Sequence, residues 1–255
     1  MTFAGKVVLI AGASSGIGAA TAKQFARLGA TLALCGKRNM DKLKQVKSEC
    51  STESNLLLLT GDLVDETKNK AIVEETIKHF GQLDVLVNSA GILRSGTIEN
   101  TSLDQYDTVM NTNVRSMFQL SMLAVPHLIK TKGNIVNVSS VNGLRSFQGV
   151  LTYCMSKAAV DQFTRCTALD LASKQVRVNS VNPGVIRTNI HRKSGQSEEE
   201  YAVFLKRCQL THALGRPGEV DEVARLIVFL ASDDASFITG ATVPVDGGRH
   251  AMCPR

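Results

Sequence analysis

Short, unbroken runs of apolar residues alternate along this chain with longer segments whose apolar residues recur every three or four positions. The runs are Val7–Ala11, Thr31–Cys35, Leu56–Thr60, Val85–Asn88, Asn134–Ser139, Arg177–Val181 and Ala241–Val245, and they predict seven strands. Most are consecutive Val, Ile and Leu rather than alternating, the pattern of a parallel sheet whose two faces are both covered. The intervening segments Ile17–Leu28, Lys68–Phe80, Leu103–Ile129, Cys154–Leu171 and Glu219–Leu230 have helical periodicity. Strand and helix in turn predict a doubly wound α/β fold, a seven-stranded parallel sheet with helices on both faces. Ligands of such sheets bind beyond the carboxyl ends of the strands, so functional residues are expected where the strands run out.

Composition narrows the picture. The 255 residues are 44% hydrophobic and 20% charged, with no low-complexity stretch or linker, which fits one globular domain over residues 1–255. The six cysteines are scattered without a CxxC pair or a Cys/His metal spacing, so they read as reduced thiols and no metal site is expected. A strand begins within the first few residues, with no signal peptide before it, and no apolar run approaches the roughly 18 residues of a membrane span. The expectation is a soluble, cytoplasmic protein without a membrane partner. The net charge of +6 raises nucleic acid as a partner, but the bases are dispersed and no recognition motif accompanies them, so none is expected. The densest group, Lys37, Arg38, Lys42, Lys44 and Lys47, needs a local explanation; a solvated helix face is one reading for the last three.

The first strand runs directly into Gly12-Ala13-Ser14-Ser15-Gly16-Ile17-Gly18 and then into helix. Glycines belong where the chain turns sharply and where a side chain would hold a pyrophosphate away from the amides of a helix N-terminus. Strand before and helix after distinguish this cluster from an ordinary turn and point to a dinucleotide.

The spacing GxxxGxG, with Asn88-Ser89-Ala90-Gly91, Tyr153-x-x-x-Lys157, Pro183-Gly184 and Asp246-Gly247-Gly248, resembles the short-chain dehydrogenase/reductase family over essentially the whole chain. Ala11 stands where that family usually has Thr, and Ser89 where it often has a second Asn. The resemblance implies a Rossmann fold and a nicotinamide cofactor. It places Asp62 and Leu63 at the adenine, Asn88 and Ala90 at the ribose, and Ile186 and Thr188 at the nicotinamide carboxamide, and adds Gly91, Pro183 and Gly184 to the cofactor-binding residues.

The loop after the second strand meets the adenosine ribose, where a carboxylate would bind a free 2′-hydroxyl. Here it reads Leu34-Cys35-Gly36-Lys37-Arg38, with Gly36 where NAD-selective relatives carry Asp and two cations after it. Lys37 and Arg38 could pair with a 2′-phosphate, which favours NADP(H) over NAD(H). The alternative is that they only face solvent.

Tyr153 and Lys157 are four apart in a helical stretch and so share one face. A tyrosine with its usual pKa near 10 is a poor base at neutral pH, and a neighbouring cation such as Lys157 is what would lower it. An isolated YxxxK is often a mere surface pair. Here the resemblance adds Ser140, thirteen residues before the tyrosine, as the group that hydrogen-bonds the substrate oxygen, with Ser139 set aside. It also adds Asn113 to a water relay from the lysine, Asn111 being the competing candidate. Ser140 and Tyr153 would then bind substrate, while Tyr153 and Lys157 would also touch the cofactor.

After Thr188 comes a segment without strand character, followed by Ser197-Glu198-Glu199-Glu200, a capping-box spacing that predicts a helix start. Tyr201, Phe204, Leu205 and Cys208 then form one apolar stripe. The stripe fits a helix docked on the core, or a substrate lid over residues 189–214, where the resemblance places one. His191 and His212 read as surface or packing residues. Apolar residues on more than one face of Cys154–Leu171 suggest a homo-oligomer, tetramer or dimer, as the resemblance implies. The expected activity is hydride transfer between NADP(H) and a carbonyl or secondary alcohol of a small, apolar substrate such as a ketone, steroid or 3-oxoacyl compound. An epimerase or dehydratase, or a cofactor-binding sensor without turnover, stands as the alternative.

Overall fold

The computed structural model describes residues 2–50, 55–190, 194–195 and 197–253. Seven parallel strands form one sheet in the order β3-β2-β1-β4-β5-β6-β7. They are β1 Val7–Ala11, β2 Thr31–Gly36, β3 Leu56–Thr60, β4 Val85–Asn88, β5 Asn134–Val138, β6 Arg177–Pro183 and β7 Thr242–Val245. Each predicted run becomes a strand, with boundaries shifted by at most two residues, as at the longer β6. Strand order reverses between β1 and β4, which opens a crevice at the carboxyl edge there.

Consecutive apolar residues in a strand serve two cores because successive side chains point to opposite faces. Val8 and Ile10 pack with Ala22 and Phe25 of α1 (Gly16–Arg27). Val7, Leu9 and Ala11 pack on the other face with Leu120, Ala124 and Leu128. That second face is covered by α3 (Glu66–Phe80), α5 (Ser116–Thr131) and α7 (Leu151–Ala172).

The helical stretch read as one from Leu103 to Ile129 is interrupted. It comprises α4 (Leu103–Met110), a π-helical turn over Asn111–Arg115, and α5. A π turn admits an extra residue, and such turns gather at functional sites. The single turn α6 (Val141–Leu144) was not among the predicted segments, whereas α2 (Met40–Ser48), capped by the Asn39 side chain, supplies the helix face considered for Lys42, Lys44 and Lys47. Lys42, Lys44 and Lys47 are exposed on α2. The helix announced by Ser197 is α8 (Glu198–Thr211), with both hydrogen bonds of the capping box in place. Helix α9 (Val220–Ala231) completes the layer that holds α1.

The sheet interior carries a polar cross-tie. Asn88 donates to Asn137 Oδ1 at 2.9 Å and to Ser121 at 3.1 Å, and Asn137 donates to Thr164 at 2.9 Å. These bonds tie β4, β5, α5 and α7 together just below the crevice. All six cysteines are free thiols. On the outer face of α5 and α7, Phe118, Met122, Met155 and Leu169 are exposed, Leu169 by 79%.

Candidate active site

The carboxyl ends of the strands open into a cleft of about 1300 Å³. At its floor the glycine turn touches the loop after β4. Gly12 has φ +85°, and a Cβ there would lie 2.7 Å from the amide nitrogen of Ala90. A Cβ on Gly18 would stand 2.3 Å from the Gly12 carbonyl oxygen, so both glycines are dictated by backbone contact. Helix α1 starts at Gly16 with no side-chain cap from Ser15 and no acidic residue in its first turn. Its first amides are therefore open to an anion. Gly12, Ser14, Ser15, Gly16 and Ile17 line the cleft, while Gly18 packs behind them.

At the end of β2, Gly36 is buried, and a Cβ there would stand 3.1 Å from Ser14 Cβ and 3.3 Å from Leu43. Lys37 and Arg38 follow, 60% and 82% exposed, and both reach Asp62 at the end of β3, at 2.8 and 3.8 Å. Asp62 and Leu63 line the cleft with Lys37. Ser89, Ala90 and Gly91 do so from the end of β4. Asn88 differs from the expectation: its side chain is buried and spent on Ser121 and Asn137, because one strand residue earlier the chain is still inside the sheet. Pro183, Gly184, Ile186 and Thr188 line the cleft beyond β6.

Across this groove lie the candidate catalytic groups. Ser140 caps α6, its Oγ accepting the Asn142 amide at 3.1 Å and donating to Asn142 Oδ1 at 3.2 Å, and it lies near enough to the Tyr153 phenol to oppose the rise of its pKa. Ser139, by contrast, donates to the Lys157 carbonyl at 3.1 Å. Lys157 Nζ donates to the Val138 carbonyl at 2.9 Å and lies 5.6 Å from the centre of the Tyr153 ring. Burial pushes the Tyr153 phenol up to about 12, with Ser140 opposing, and the Lys157 ammonium down to about 8.

Asn113 lies in the π turn, fully buried behind Gly91. Its Oδ1 accepts the Ile92 amide at 2.8 Å, and its Nδ2 donates to the Ile92 carbonyl at 2.9 Å and to Ser156 at 3.0 Å. A Cβ on Gly91 would meet Asn113 Oδ1 at 3.4 Å and Lys157 Nζ at 3.6 Å, so both groups border the same point. Asn111 occupies the start of the turn, and neither it nor Asn113 lines the cleft, which Thr112 between them reaches.

Several residues of the site were not singled out in the sequence. Asp161, one turn after Lys157, is buried and accepts from Asn182 at 2.9 and 3.0 Å and from Ser180 at 3.3 Å. Burial raises its carboxyl pKa, and these hydrogen bonds oppose the rise. Phe147 and Arg145 from the loop after α6, Arg207 and Leu210 from α8, and Arg249 and Met252 from the tail also line the cleft, as does Phe204 of the predicted α8 stripe. The signal for the tail was Gly247-Gly248, whose φ angles of +57° and +79° turn the chain back toward the site. Of the apolar stripe of α8, Tyr201 and Cys208 are buried, and the Tyr201 hydroxyl donates to the Thr188 carbonyl. His212 is a packing residue, its Nε2 accepting the Val185 amide at 3.2 Å. His191 lies outside the described residues.

Comparison with known proteins bears on the whole chain. The family described as enoyl-(acyl carrier protein) reductase matches residues 12–250. A meso-2,3-butanediol dehydrogenase of Serratia marcescens is 39% identical over 253 residues, 98% of this chain and 97% of the relative. A 3-oxoacyl-(acyl-carrier-protein) reductase of Thermotoga maritima is 39% identical over 251 residues, 97% and 99% of the two chains. The crystal structure of a levodione reductase superposes with a TM-score of 0.93 at 30% identity, covering 98% of this chain and all of the other.

The buried ammonium of Lys157 gives a stability signature. Its pKa falls from an ordinary 10.5 to about 8 on folding, so between those values the unfolded chain holds more protons and stability rises with pH. Tyr153 shifts the other way and acts only above about 10. In urea unfolding without ligand, the wild type should gain about 2 kcal/mol relative to Lys157→Met between pH ~7.5 and ~9.5. Parallel pH curves for the two proteins would show that the ammonium is not desolvated.

Proposed function

The chain belongs to the short-chain dehydrogenase/reductase family, and from that premise we propose that it moves a hydride between NADP(H) and a carbonyl or secondary alcohol, with Tyr153 handling the proton. The observation that carries this reading is the meeting of Ser140, Tyr153 and Lys157 in one cleft with the glycine turn. The names of the relatives, a butanediol dehydrogenase and a 3-oxoacyl reductase, suit the same chemistry.

The residues present fit a dinucleotide: the uncapped α1 terminus and the Gly12–Ala90 contact leave backbone amides bare for a pyrophosphate. When bound, the nicotinamide supplies or accepts the hydride. Ser140 holds the carbonyl oxygen beside Tyr153. A phenol with a pKa of about 12 keeps its proton at neutral pH and can give it to that oxygen as negative charge develops there. Lys157 favours the phenolate left behind, and Asn113 lies where it can steady a water leading from Lys157. Oxidation of an alcohol runs the same steps in reverse.

Preference for NADP(H) is supported by Lys37 and Arg38 at the ribose end and by the narrow space at Gly36. Their pairs with Asp62 are exposed and worth at most about 1 kcal/mol, so a 2′-phosphate can replace the carboxylate. The lid over residues 189–214, of which 191–193 and 196 lie outside the described residues, covers the substrate through α8, which brings Phe204, Arg207 and Leu210 to the cleft while Tyr201 anchors it to Thr188. The exposed apolar face of α5 and α7 joins copies of the chain into a dimer or tetramer. No described helix is long and apolar enough to cross a membrane.

Tyr153→Phe should lower kcat by about a hundredfold or more while NADPH affinity stays within about threefold; retention of a tenth of wild-type kcat would reject Tyr153 as the acid. Replacing Lys37 and Arg38 together by Ser should weaken NADPH by at least about tenfold and leave NADH nearly unchanged, because charge-assisted hydrogen bonds of about 1.5–3 kcal/mol each are lost. Equal losses for both cofactors, or a wild type that prefers NADH in kcat/KM, would overturn the NADP(H) assignment. Light scattering at micromolar concentration should give a dimer or tetramer mass that falls in a Phe118→Asp, Leu169→Asp variant. A monomeric wild type would contradict the proposed interface.

A further inference from the structure

The substrate end of the cleft holds more positive charge than an apolar ketone requires. Arg145, Arg207 and Arg249 all line it, from three separate segments. Among the described residues none of them has a carboxylate partner, whereas Arg115, Arg187 and Arg216 elsewhere are paired with Glu66, Glu219 and Glu222.

Arg249 is the most enclosed. Its guanidinium stacks 4.7 Å above the Phe147 ring, Nη1 reaches Thr211 Oγ1 at 3.4 Å, and its buried Nε has no hydrogen-bond partner. Burial and the like charges of Arg207 and Arg145 push its pKa down, opposed by Cys208 and Asp246. The Asp246 carboxylate is already taken, accepting from the amides of Gly248 and His250 and meeting the His250 ring. Arg145 is spent as well, donating to the carbonyls of Arg249, His250 and Met252, so it fixes the tail and adds charge. Arg207 is exposed on the cleft side of α8. A half-buried guanidinium with an unpartnered Nε, within electrostatic reach of two other arginines and without a carboxylate ion pair among the described residues, is an arrangement that a bound oxyanion would relieve.

We propose that Arg249 and Arg207 bind an oxyanion, carboxylate or phosphate, carried by the carbonyl substrate at the end away from its reacting carbon. The inference rests on the hydride-transfer reading for the carbonyl end only. The loop that carries Phe147 leads directly to Tyr153, with Cys154 Sγ 3.9 Å from the Phe147 carbonyl oxygen, so the stacked arginine and the proton donor belong to one wall. Phe204, Leu210 and Met252 in the same cleft suit an apolar middle section.

The test uses methyl ketones of graded chain length, each ending in a carboxylate, its methyl ester or a phosphate. Two quantities are read for each: kcat/KM with NADPH, and binding to the protein–NADP⁺ complex by calorimetry. At the best length the charged ketone should exceed its ester by about tenfold or more, a single charge-assisted contact. Arg249→Met and Arg207→Gln should each bring that ratio toward one, with Arg249→Lys retaining part of it. Arg207 is exposed, so its variant remains informative if Arg249→Met fails to fold. The carboxylate and phosphate arms show which anion is taken. Equal kcat/KM and equal binding for charged and neutral ketones, or a preference that survives both substitutions, overturns the proposal. Ester turnover that depends on Tyr153 but ignores charge would leave hydride transfer standing without the anion site. Arginine-dependent carboxylate binding without turnover of any ketone would leave the site standing without hydride transfer.

Discussion

A parallel sheet brings all its strand ends to one edge, and in this chain that edge is closed by a contact between bare backbones. Gly12 and the amide of Ala90 approach so closely that no side chain fits between the turn after β1 and the loop after β4. Because β1 and β4 are the neighbours at which strand order reverses, this contact sets the width of the crevice. Everything else in the site is measured from it: the open α1 terminus on one side, Gly91 and Lys157 on the other. The Asn88–Asn137–Thr164 cross-tie holds the two strands that carry Gly91 and Ser140 in fixed register.

Within that frame the chemistry comes from selective burial. Tyr153 and Lys157 are equally enclosed, and desolvation opposes the charged form of each, so the phenol keeps its proton more firmly and the ammonium less firmly than in water. Lys157 retains its charge at neutral pH in part because the Val138 carbonyl accepts a hydrogen bond from it and Asp161 lies one turn further on. Asp161 in turn is satisfied by Ser180 and Asn182 of β6, so the lysine's environment reaches through the helix to the sheet. At neutral pH the phenol of this pair therefore holds its proton rather than standing as a permanent phenolate.

The sheet was legible because its signal is local: seven apolar runs, most of them serving two cores, mark seven strands to within two residues. The glycine turn and the Tyr153–Lys157 pair were legible for a similar reason, since spacing on a strand end or helix face is fixed by backbone geometry. What escaped was set by contacts between distant segments. Asn88 looked like a cleft residue, but its amide turns into the sheet to meet Asn137, 49 residues away. The π turn at Asn111–Arg115 leaves the apolar periodicity nearly intact, so α4 and α5 read as one helix. Arg145 and Arg249 meet across 104 residues through a tail that carries no periodic pattern, and a cleft expected to be apolar proved partly cationic. Asp161 was passed over because a carboxylate on a helix ordinarily faces solvent, and only the β6 side chains show why this one does not.

The buried position of Gly36 links two parts of the cleft wall. A side chain added there would press on Ser14 of the turn after β1 and on Leu43 of α2 at once. The turns after β1 and β2 are therefore mechanically coupled: bulk introduced at the end of one strand has to be absorbed by the loop of its neighbour, so this stretch of wall changes shape as a unit rather than residue by residue.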